Sequence, residues 1–231
     1  MWYGARVRPG PHERDRPAFR VTRETSNKEI SPELLRPPVA HAGMAVGLLG
    51  GSFNPPHDGH LAISLHALTR LRLDRIWWLV TPGNPLKPRH DLAKLATRIE
   101  QASAMADDPR IEVTGFEASL PDAYTCNTLR HLARSRRGVD FVWLMGADNL
   151  ESFHRWRDWR EIFELVPIAV LDRPGFRMAA LNAPAAQTFA RYRIDQSDAG
   201  GLARLPPPAW TFLTLPLSHS SSSAIRRARQ R

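Results

Sequence analysis

The chain has 231 residues, of which 42% are hydrophobic and 24% charged, a balance that excludes a fibrous or wholly disordered chain and fits one well-packed domain. Its single cysteine, Cys126, excludes an intramolecular disulfide. No run of about 18 apolar residues and no secretory signal is present, which predicts a cytoplasmic protein without a membrane partner. The net charge of +9 indicates an anionic partner. This partner could be a nucleic acid, a lipid surface or a small phosphorylated substrate, and the charge alone does not decide among them.

Residues 1–43 are rich in Arg and Pro and carry almost no periodic apolar pattern. This composition predicts a disordered, basic extension, because the segment offers too little apolar surface to form a core. A mitochondrial-type presequence is the alternative, and five acidic residues count against it: Glu13, Asp15, Glu24, Glu29 and Glu33. Residues 44–231 are expected to form a single domain.

Short apolar runs alternate with helix-length segments from Met44 onward. The first run, MAVGLLGG, has the length and apolar content of a buried parallel strand. Further strands are predicted at 75–82, 111–116, 139–146, 168–172 and 210–217. The alternation predicts an α/β fold with a doubly wound parallel sheet that is covered by helices on both faces. In such sheets ligands bind beyond the carboxyl ends of the strands.

Two of the intervening segments show helical periodicity. In HLAISLHALTRL the residues expected near one face are Leu61, Ser64, Leu65, Leu68 and Leu71. In LAKLATRIEQASAMA they are Leu92, Leu95, Ile99 and Met105. Both helices are predicted to pack these faces against the sheet.

The loop after the first predicted strand reads GGSFNPPHDGH. Gly50 and Gly51 permit close approach of the backbone to a ligand. A helix that begins near Asp58 directs unpaired amides and the positive end of its dipole toward a phosphate, and His57 and His60 add imidazole donors beside those amides. Such a site suits a reaction whose barrier falls by positioning and by stabilising charge at a phosphorus centre.

Zinc ligation is a second interpretation of the two histidines. A third and a fourth ligand at suitable spacing are missing, and Asp58 is better suited to cap the helix. We therefore predict no metal ion bound by protein side chains alone.

The string GGSFNPPHDGH resembles the signature of the bacterial nicotinate-nucleotide adenylyltransferases, within the HxGH nucleotidyltransferase superfamily. HDGH is the superfamily element, whereas the related pantetheine-phosphate adenylyltransferases typically carry Thr at the position of His57. The resemblance implies a Rossmann-like sheet of the nucleotidyltransferase type. It also implies transfer of AMP from ATP to nicotinate mononucleotide, giving nicotinate adenine dinucleotide and pyrophosphate, with Mg²⁺ accompanying ATP.

Two segments further along resemble loops of the same family. TPGNPLKP is similar to the N-P-x-K segment, which implies a phosphate contact for Lys87. DAYTCNTLRHL is similar to the Y-T-x-x-T-L segment, which implies that Tyr124, Thr125 and Thr128 hold the nicotinate nucleotide. Many members carry Asp where this chain has Asn127, and Thr125 could equally cap the helix.

Two strand ends carry the next matches. WLMGADNLESFHRWRDW implies that Asp148 lies at the crevice near a ribose and that Trp156 stacks on the pyridine ring. Core packing is the alternative for both tryptophans of this segment, and we expect Trp159 in the core and Trp156 in the site. In LDRPG, Arg173 could neutralise a phosphate or lie in a solvated turn.

The C-terminal HSSSSAIRRARQR resembles the I-S-S-T-x-I-R motif of the family, with two of its positions replaced by Ser. The matching residues are Ser222, Ser223, Ile225 and Arg226. A serine-rich helix start offers hydroxyl and amide donors to ATP phosphates, and Arg226 adds a cation. Without the resemblance, the same residues would be a helix cap and a basic solvated tail.

The resemblance therefore assigns three sets of residues. The catalytic set is His57, His60 and Arg226. The ATP-binding set is Gly50, Gly51, Ser52, Phe53, His57, Gly59, His60, Gly146, Asp148, Ser222, Ser223, Ile225 and Arg226. The nicotinate-nucleotide set is Asn54, Lys87, Tyr124, Thr125, Thr128, Trp156 and Arg173.

Other functions stay open at this point. The same chemistry with nicotinamide mononucleotide or phosphopantetheine as acceptor is the nearest, and Trp156 favours a pyridine nucleotide without deciding between acid and amide. A nucleic-acid-binding module is motivated by the charge of +9, but no repeated aromatic and basic pattern supports it, so no nucleic-acid partner is expected. The small size counts against an aminoacyl-tRNA synthetase fragment. A homo-oligomer is compatible with the sequence.

Overall fold

The computed structural model describes residues 30–83 and 92–215. Their centre is a parallel sheet of six strands in the order β3-β2-β1-β4-β5-β6. The strands are β1 (Ala45–Gly51), β2 (Arg75–Val80), β3 (Ile111–Thr114), β4 (Asp140–Gly146), β5 (Ile168–Leu171) and β6 (Trp210–Leu213). The predicted doubly wound α/β fold is confirmed, and each strand lies within the segment predicted for it.

The strand order reverses at β1. Leu48 of β1 lies opposite Trp77 of β2 on one side and opposite Trp143 of β4 on the other. The chain first builds outward through β2 and β3 and then returns to the far side of β1. Connections on the two sides therefore leave in opposite directions, which opens a crevice at the carboxyl ends of β1 and β4.

Helices cover both faces of this sheet. They are α1 (Asp58–Arg70), α2 (Leu95–Met105), α3 (Thr125–Ser135), α4 (Ala147–Ser152), α5 (Trp159–Leu165), α6 (Arg177–Leu181) and α7 (Pro184–Thr188). Short 3-10 helices span Pro32–Leu35, Phe116–Ser119, Phe153–Arg155, Ala190–Tyr192 and Gln196–Arg204. Within the described ranges, none of the helices has the length and apolar character needed to cross a membrane.

Two apolar cores lie on opposite faces of the sheet. Adjacent residues of β2 illustrate the alternation, because Trp77 packs in the core beneath α3 and α5 whereas Trp78 packs in the core beneath α1 and α2. Burial on both faces explains why the strands read as continuous apolar runs and not as alternating patterns.

The buried face of α1 differs from the predicted one. Its buried residues are Gly59, Ile63, Ser64, Ala67 and Leu68. Leu65 was predicted on this face and is 39% exposed. Ser64 faces the sheet, where its hydroxyl accepts a hydrogen bond from the Trp78 indole nitrogen at 2.7 Å. With α1 in this orientation, the leucines predicted on the buried face are only partly buried.

Residues 30–43 belong to the segment predicted to be disordered, yet they pack on the domain. The Leu34 carbonyl accepts a hydrogen bond from the hydroxyl of Thr114, at the end of β3, at 3.0 Å. The amide of Gly43 donates to the carbonyl of Gly138 at 2.7 Å, just before β4. These contacts hold the segment against the domain. They also give its backbone groups hydrogen-bond partners that a disordered chain would find only in water. The prediction for residues 1–29 lies outside the described residues.

Candidate active site

Glycines make room for large side chains where β1 and β4 end. A Cβ atom built at Gly50 would lie 2.6 Å from the ring of Trp143, so a side chain there would displace the indole. At Gly146 a Cβ atom would overlap Asp148 and would lie 3.2 Å from the Arg173 Cδ. These packed neighbours leave no room for a side chain, so glycine is needed at both positions even without a ligand nearby.

The loop between β1 and α1 is anchored by Phe53. This residue has a φ of 46°, in the left-handed region that non-glycine residues rarely adopt, and its side chain is fully buried. Its ring stacks on Trp78 with centroids 5.1 Å apart and packs on His60 at 4.5 Å. The aromatic contacts hold the loop in its left-handed turn and position the start of α1.

His57 and His60 cap the N-terminus of α1 with their side chains. His57 is the cap residue, and Asp58, which was predicted as the cap, is the first residue of the helix. The His57 Nδ1 accepts a hydrogen bond from the Gly59 amide at 3.1 Å, and the His60 Nδ1 accepts one from the His57 amide at 3.2 Å. This is a capping box built from two imidazoles whose centroids are 3.9 Å apart.

Both histidines are neutral at physiological pH. Burial, and then the positive charge of Arg173, lower the pKa of His57 from its usual 6.5 to about 4. Burial and then the neighbouring His57 lower the pKa of His60 to about 3. Because each Nδ1 accepts a hydrogen bond, each neutral ring carries its proton on Nε2. The two Nε2–H groups are therefore hydrogen-bond donors that carry no formal charge.

The first amides of α1 are engaged within the protein. The amides of His57 and Gly59 donate to the two imidazoles, and the amide of His60 donates to the His57 carbonyl at 2.8 Å. The amides of Gly59 and His60, which the sequence predicts near a phosphate, therefore already have partners within the protein. The capping imidazoles take up the helix amides, so the Nε2–H groups replace them as donors.

An ion pair lies beside the histidines. The Arg173 Nη1, just after β5, donates to Asp148 Oδ2 at 3.0 Å at the start of α4. The positive charge of Arg173 lowers the pKa of His57, and the negative charge of Asp148 raises it. Among the described residues no group hydrogen-bonds to the buried Asp148 Oδ1. The carboxyl ends of β4 and β5 thus meet the start of α1.

The N-terminus of α3 lies on the other side of the crevice. Thr125 is the first residue of this helix and not its cap, because the cap position is occupied by Tyr124, whose side chain makes no capping hydrogen bond. Thr128 is fully buried and donates to Glu117 Oε1 at 2.9 Å, so its predicted contact with a nucleotide is replaced by an internal one.

Asn127 stands where many family members carry an acid. Its Nδ2 donates to Asp122 Oδ1 at 2.8 Å, and its Oδ1 accepts from Arg130. An aspartate at this position could not donate to the Asp122 carboxylate and would repel it. The amide is therefore matched to its acidic neighbour, which holds the loop before α3 in place.

Trp156 and Trp159 differ in burial, and the expected core position of Trp159 is confirmed. Trp159 is 9% exposed and packs edge-on against Phe189. Trp156 is partly exposed and contacts Phe153 at 4.9 Å and Trp143 at 6.4 Å between centroids. Since the Trp143 ring lies against Gly50, the partly exposed indole is connected by packing to the end of β1.

Some predicted site residues have other positions or lie outside the described ranges. Asn54 Oδ1 accepts a hydrogen bond from the Ala93 amide at 3.2 Å, in the segment that precedes α2. Ser52 offers its carbonyl to Arg98. The following predicted residues lie outside the described part of the chain: Lys87, Ser222, Ser223, Ile225 and Arg226.

Two polar residues of this region, Arg98 and Glu117, were missed by the sequence analysis. The sequence does carry a sign that Arg98 is buried, because this residue lies on the apolar face of α2 beside Ile99. For Glu117 it carries none, because the 3-10 helix Phe116–Ser119 that contains it is too short to show an apolar periodicity.

One cluster of possible metal ligands occurs in the described residues, and it does not fit a divalent cation. Its members are Cys126, Asp158 and Glu161. The Arg130 guanidinium occupies it and donates to Glu161 Oε1 at 2.6 Å, while burial raises the pKa of the Cys126 thiol to about 11. A protonated thiol and a resident cation disfavour metal binding.

Comparison with known proteins agrees with these features. The cytidylyltransferase-like family model matches residues 48–228. A protein of Methylorubrum extorquens strain PA1, named probable nicotinate-nucleotide adenylyltransferase, is 58% identical over 79% of this chain and 99% of its own length. A protein of the same name from Rhizobium meliloti strain 1021 is 55% identical over 80% of this chain and 99% of its own length. The chain belongs to the nicotinate-nucleotide adenylyltransferase family.

The fold of this adenylyltransferase also matches a solved structure. The nicotinic acid mononucleotide adenylyltransferase of Plasmodium falciparum, complexed with APC, superposes with a TM-score of 0.57. The match covers 80% of this chain and 83% of that one, at 16% identity, and supports the fold alone. The family and the enzyme class expected from GGSFNPPHDGH are confirmed.

Proposed function

We propose that this enzyme transfers the adenylyl group of ATP to nicotinate mononucleotide, giving nicotinate adenine dinucleotide and pyrophosphate. The observation that carries the proposal is the pair of neutral imidazoles that caps α1 at the switch point of the sheet, in a member of this family. A phosphate oxygen of the acceptor attacks the α-phosphorus of ATP. The bond to the bridging oxygen of the β-phosphate breaks, and its electron pair leaves with pyrophosphate.

The histidines lower the barrier by hydrogen bonding and not by proton transfer. Their Nε2–H groups donate to oxygens of the transferring phosphoryl group, where negative charge redistributes in the transition state. The capping hydrogen bonds hold both rings before substrate arrives, so little reorganisation accompanies the reaction. His57 and His60 are accordingly the proposed catalytic residues within the described ranges.

Arg173 supplies the cation on this side of the crevice. Its effect on the pKa of His57 supports a place near the phosphates, and Asp148 holds its guanidinium at 3.0 Å. The Asp148 side chain is partly exposed at the same crevice, and the sequence motif assigns this carboxylate to a ribose hydroxyl. We assign Arg173 to phosphate and Asp148 to ribose.

The acceptor nucleotide is proposed to lie between Trp156 and the start of α3. The partly exposed indole of Trp156 offers a face to the electron-poor pyridine ring. Thr125 lies in the first turn of α3, where backbone amides lack partners within the helix and suit a carboxylate or a phosphate. Tyr124 precedes it as the cap residue, and its amide donates to Asp122 Oδ1 at 3.3 Å.

The remaining assignments rest on the sequence motifs. Lys87, Ser222, Ser223, Ile225 and Arg226 are proposed to contact the phosphates of the two nucleotides. Mg²⁺ is proposed to arrive on the phosphates of ATP, since Asp148 is paired with Arg173 and a single further carboxylate, Asp58, does not make a cage for the ion. When bound, the ion would neutralise charge on the departing pyrophosphate.

Pyrophosphate release measured with ATP and Mg²⁺ tests the proposed function. Nicotinate mononucleotide, nicotinamide mononucleotide and phosphopantetheine are offered separately to the purified chain. A clear preference for the nicotinate compound is expected, with nicotinate adenine dinucleotide identified by mass spectrometry. Preference for either other acceptor, or no release with any, would contradict the proposal.

A further inference from the structure

Arg98 is a charged side chain in the interior of α2. The residue is 1% exposed, and its guanidinium reaches three backbone segments. The Nη1 donates to the carbonyls of Ser52 at 2.7 Å and Thr81 at 2.8 Å. The Nε donates to the carbonyl of Ala93 at 2.9 Å, and the Nη2 lies 3.5 Å from that of Pro82.

The charge of Arg98 is balanced by carbonyl dipoles. Within the described ranges no carboxylate forms an ion pair with it. Burial lowers its pKa to about 10, so the guanidinium stays charged at neutral pH. A buried cation is costly unless its donors find acceptors, and these carbonyls accept from four of the five N–H groups of Arg98. An apolar side chain would fill the same place on α2 without that cost.

The bonded carbonyls lie on two loops of the active site. Ser52 opens the loop between β1 and α1, and Thr81 is the first residue after β2. Two carbonyl oxygens cannot hydrogen-bond to each other, so a shared donor is needed to hold these two carbonyls side by side. Arg98 is that donor. Nearby, the Thr81 amide donates to the Gly51 carbonyl at 3.0 Å.

The loop held by Arg98 leads directly to the catalytic pair. Ser52 precedes Phe53, whose ring packs on His60 at 4.5 Å. A shift of the Ser52 carbonyl would therefore move Phe53 and change the support of the His60 ring. Displacements of about 1 Å at a reacting centre can reduce a rate by about a hundredfold.

We propose that Arg98 is a positioning residue for adenylyl transfer, which joins the loop after β1 to the loop after β2 and thereby sets the place of the histidine pair. The inference rests on the proposed function and extends it to a residue outside the motifs. Arg98 acts through Ser52 and Phe53 and does not itself touch the substrate.

Steady-state kinetics of Arg98→Met and Arg98→Lys test the proposal. The methionine keeps an unbranched, flexible side chain of the length of the arginine's apolar stem and removes all donors, so kcat should fall at least about tenfold while KM for both substrates changes less. The lysine can bond some of these carbonyls but not all, and it should recover part of kcat. Assays are run at a temperature where thermal melting shows that every variant is folded.

Ile99→Ala is the matched control. Ile99 is the next residue of α2, is 2% exposed, and contributes no hydrogen bond to either loop. Its truncation leaves a cavity and should lower the melting temperature, while kcat stays near the wild-type value. An equal loss of kcat in Ile99→Ala, or an unchanged kcat in Arg98→Met, would overturn the proposal.

Two further results keep the test decisive. If Arg98→Met does not fold, Arg98→Lys and Arg98→Gln replace it, and a wild-type kcat in both would overturn the positioning role. Failure of the proposed function would be seen separately, since the wild-type chain itself would then not use nicotinate mononucleotide.

Discussion

The Nδ1 atom of His60 accepts a hydrogen bond from the backbone amide of His57 at 3.2 Å. The imidazole of His57 in turn accepts from the Gly59 amide, so the two rings share one capping arrangement and one tautomer. Protonation of either Nδ1 would break a cap hydrogen bond and place a second positive charge beside Arg173. The helix start therefore keeps both Nε2–H donors neutral.

The two histidines should not titrate near neutral pH. Their pKa values of about 4 and about 3 predict constant imidazole chemical shifts between pH 8 and pH 6, measured by NMR and assigned with His57→Asn and His60→Asn. Because the folded pKa values lie below 6.5, the unfolded chain binds more protons below that pH. Stability should fall as the pH drops from about 6.5 toward 4. A titration midpoint between 6 and 7 for either ring would contradict this account.

Glu117 should give the opposite dependence on pH. Burial raises the pKa of this carboxyl from 4.5 to about 7. The protonated form is favoured by folding, so its stabilising contribution is complete below pH 4.5 and is lost as the pH rises through 7. Glu117→Gln keeps the shape of the side chain and removes its titration. Between pH 4.5 and 8 the free energy of unfolding in urea should therefore fall in the wild type by up to about 3 kcal/mol more than in the variant. Parallel pH profiles for the two proteins would refute the prediction.

Trp156 and Trp159 form a natural pair for separating binding from stability. Trp156→Ala should raise KM for nicotinate mononucleotide about tenfold, the value of an aromatic stacking contact, with a small change in melting temperature. Trp159→Ala should lower the unfolding free energy by about 3 to 5 kcal/mol, because its indole is 9% exposed and packs on Phe189. Acceptor titrations and thermal melts check both variants. An unchanged KM in Trp156→Ala would remove the stacking assignment.

Gly146 provides a test of the ion pair. A methyl group there would overlap Asp148 and come within 3.2 Å of the Arg173 Cδ, so Gly146→Ala should displace the pair and lower kcat about tenfold or more. Gly201→Ala is the matched control, since no atom lies within 4 Å of a Cβ atom at that position. Equal kcat values for the two variants would show that the pair has no part in the reaction.

Sequence periodicity was sufficient for the sheet because its strands are buried on both faces. Apolar runs such as VDFVWLMG predict strands wherever they are bounded by turns, and the alternation with helices then implies the crevice beyond β1. The motif beginning at Gly50 could be placed there, because ligand-binding loops of such sheets follow the strands.

Long-range hydrogen bonds could not be read from the same patterns. Arg98 bonds to Ser52 across 46 residues, and a charged residue on an apolar helix face indicates burial without naming its partners. The capping role of His57 was missed because histidine is a rare cap and Asp58 is a common one. The composition of residues 30–43 predicted disorder, yet Leu34 is held by Thr114 of a distant strand.

A single-turnover measurement on His60→Ala tests the central claim most directly. Enzyme in excess is mixed with ATP, Mg²⁺ and nicotinate mononucleotide, and formation of the dinucleotide is followed by rapid quench. Loss of a neutral donor to the transferring phosphoryl group should lower the rate by about a hundredfold to a thousandfold, with substrate binding largely kept. A single-turnover rate close to that of the wild type, in a folded variant, would contradict the role of the capping imidazoles in adenylyl transfer.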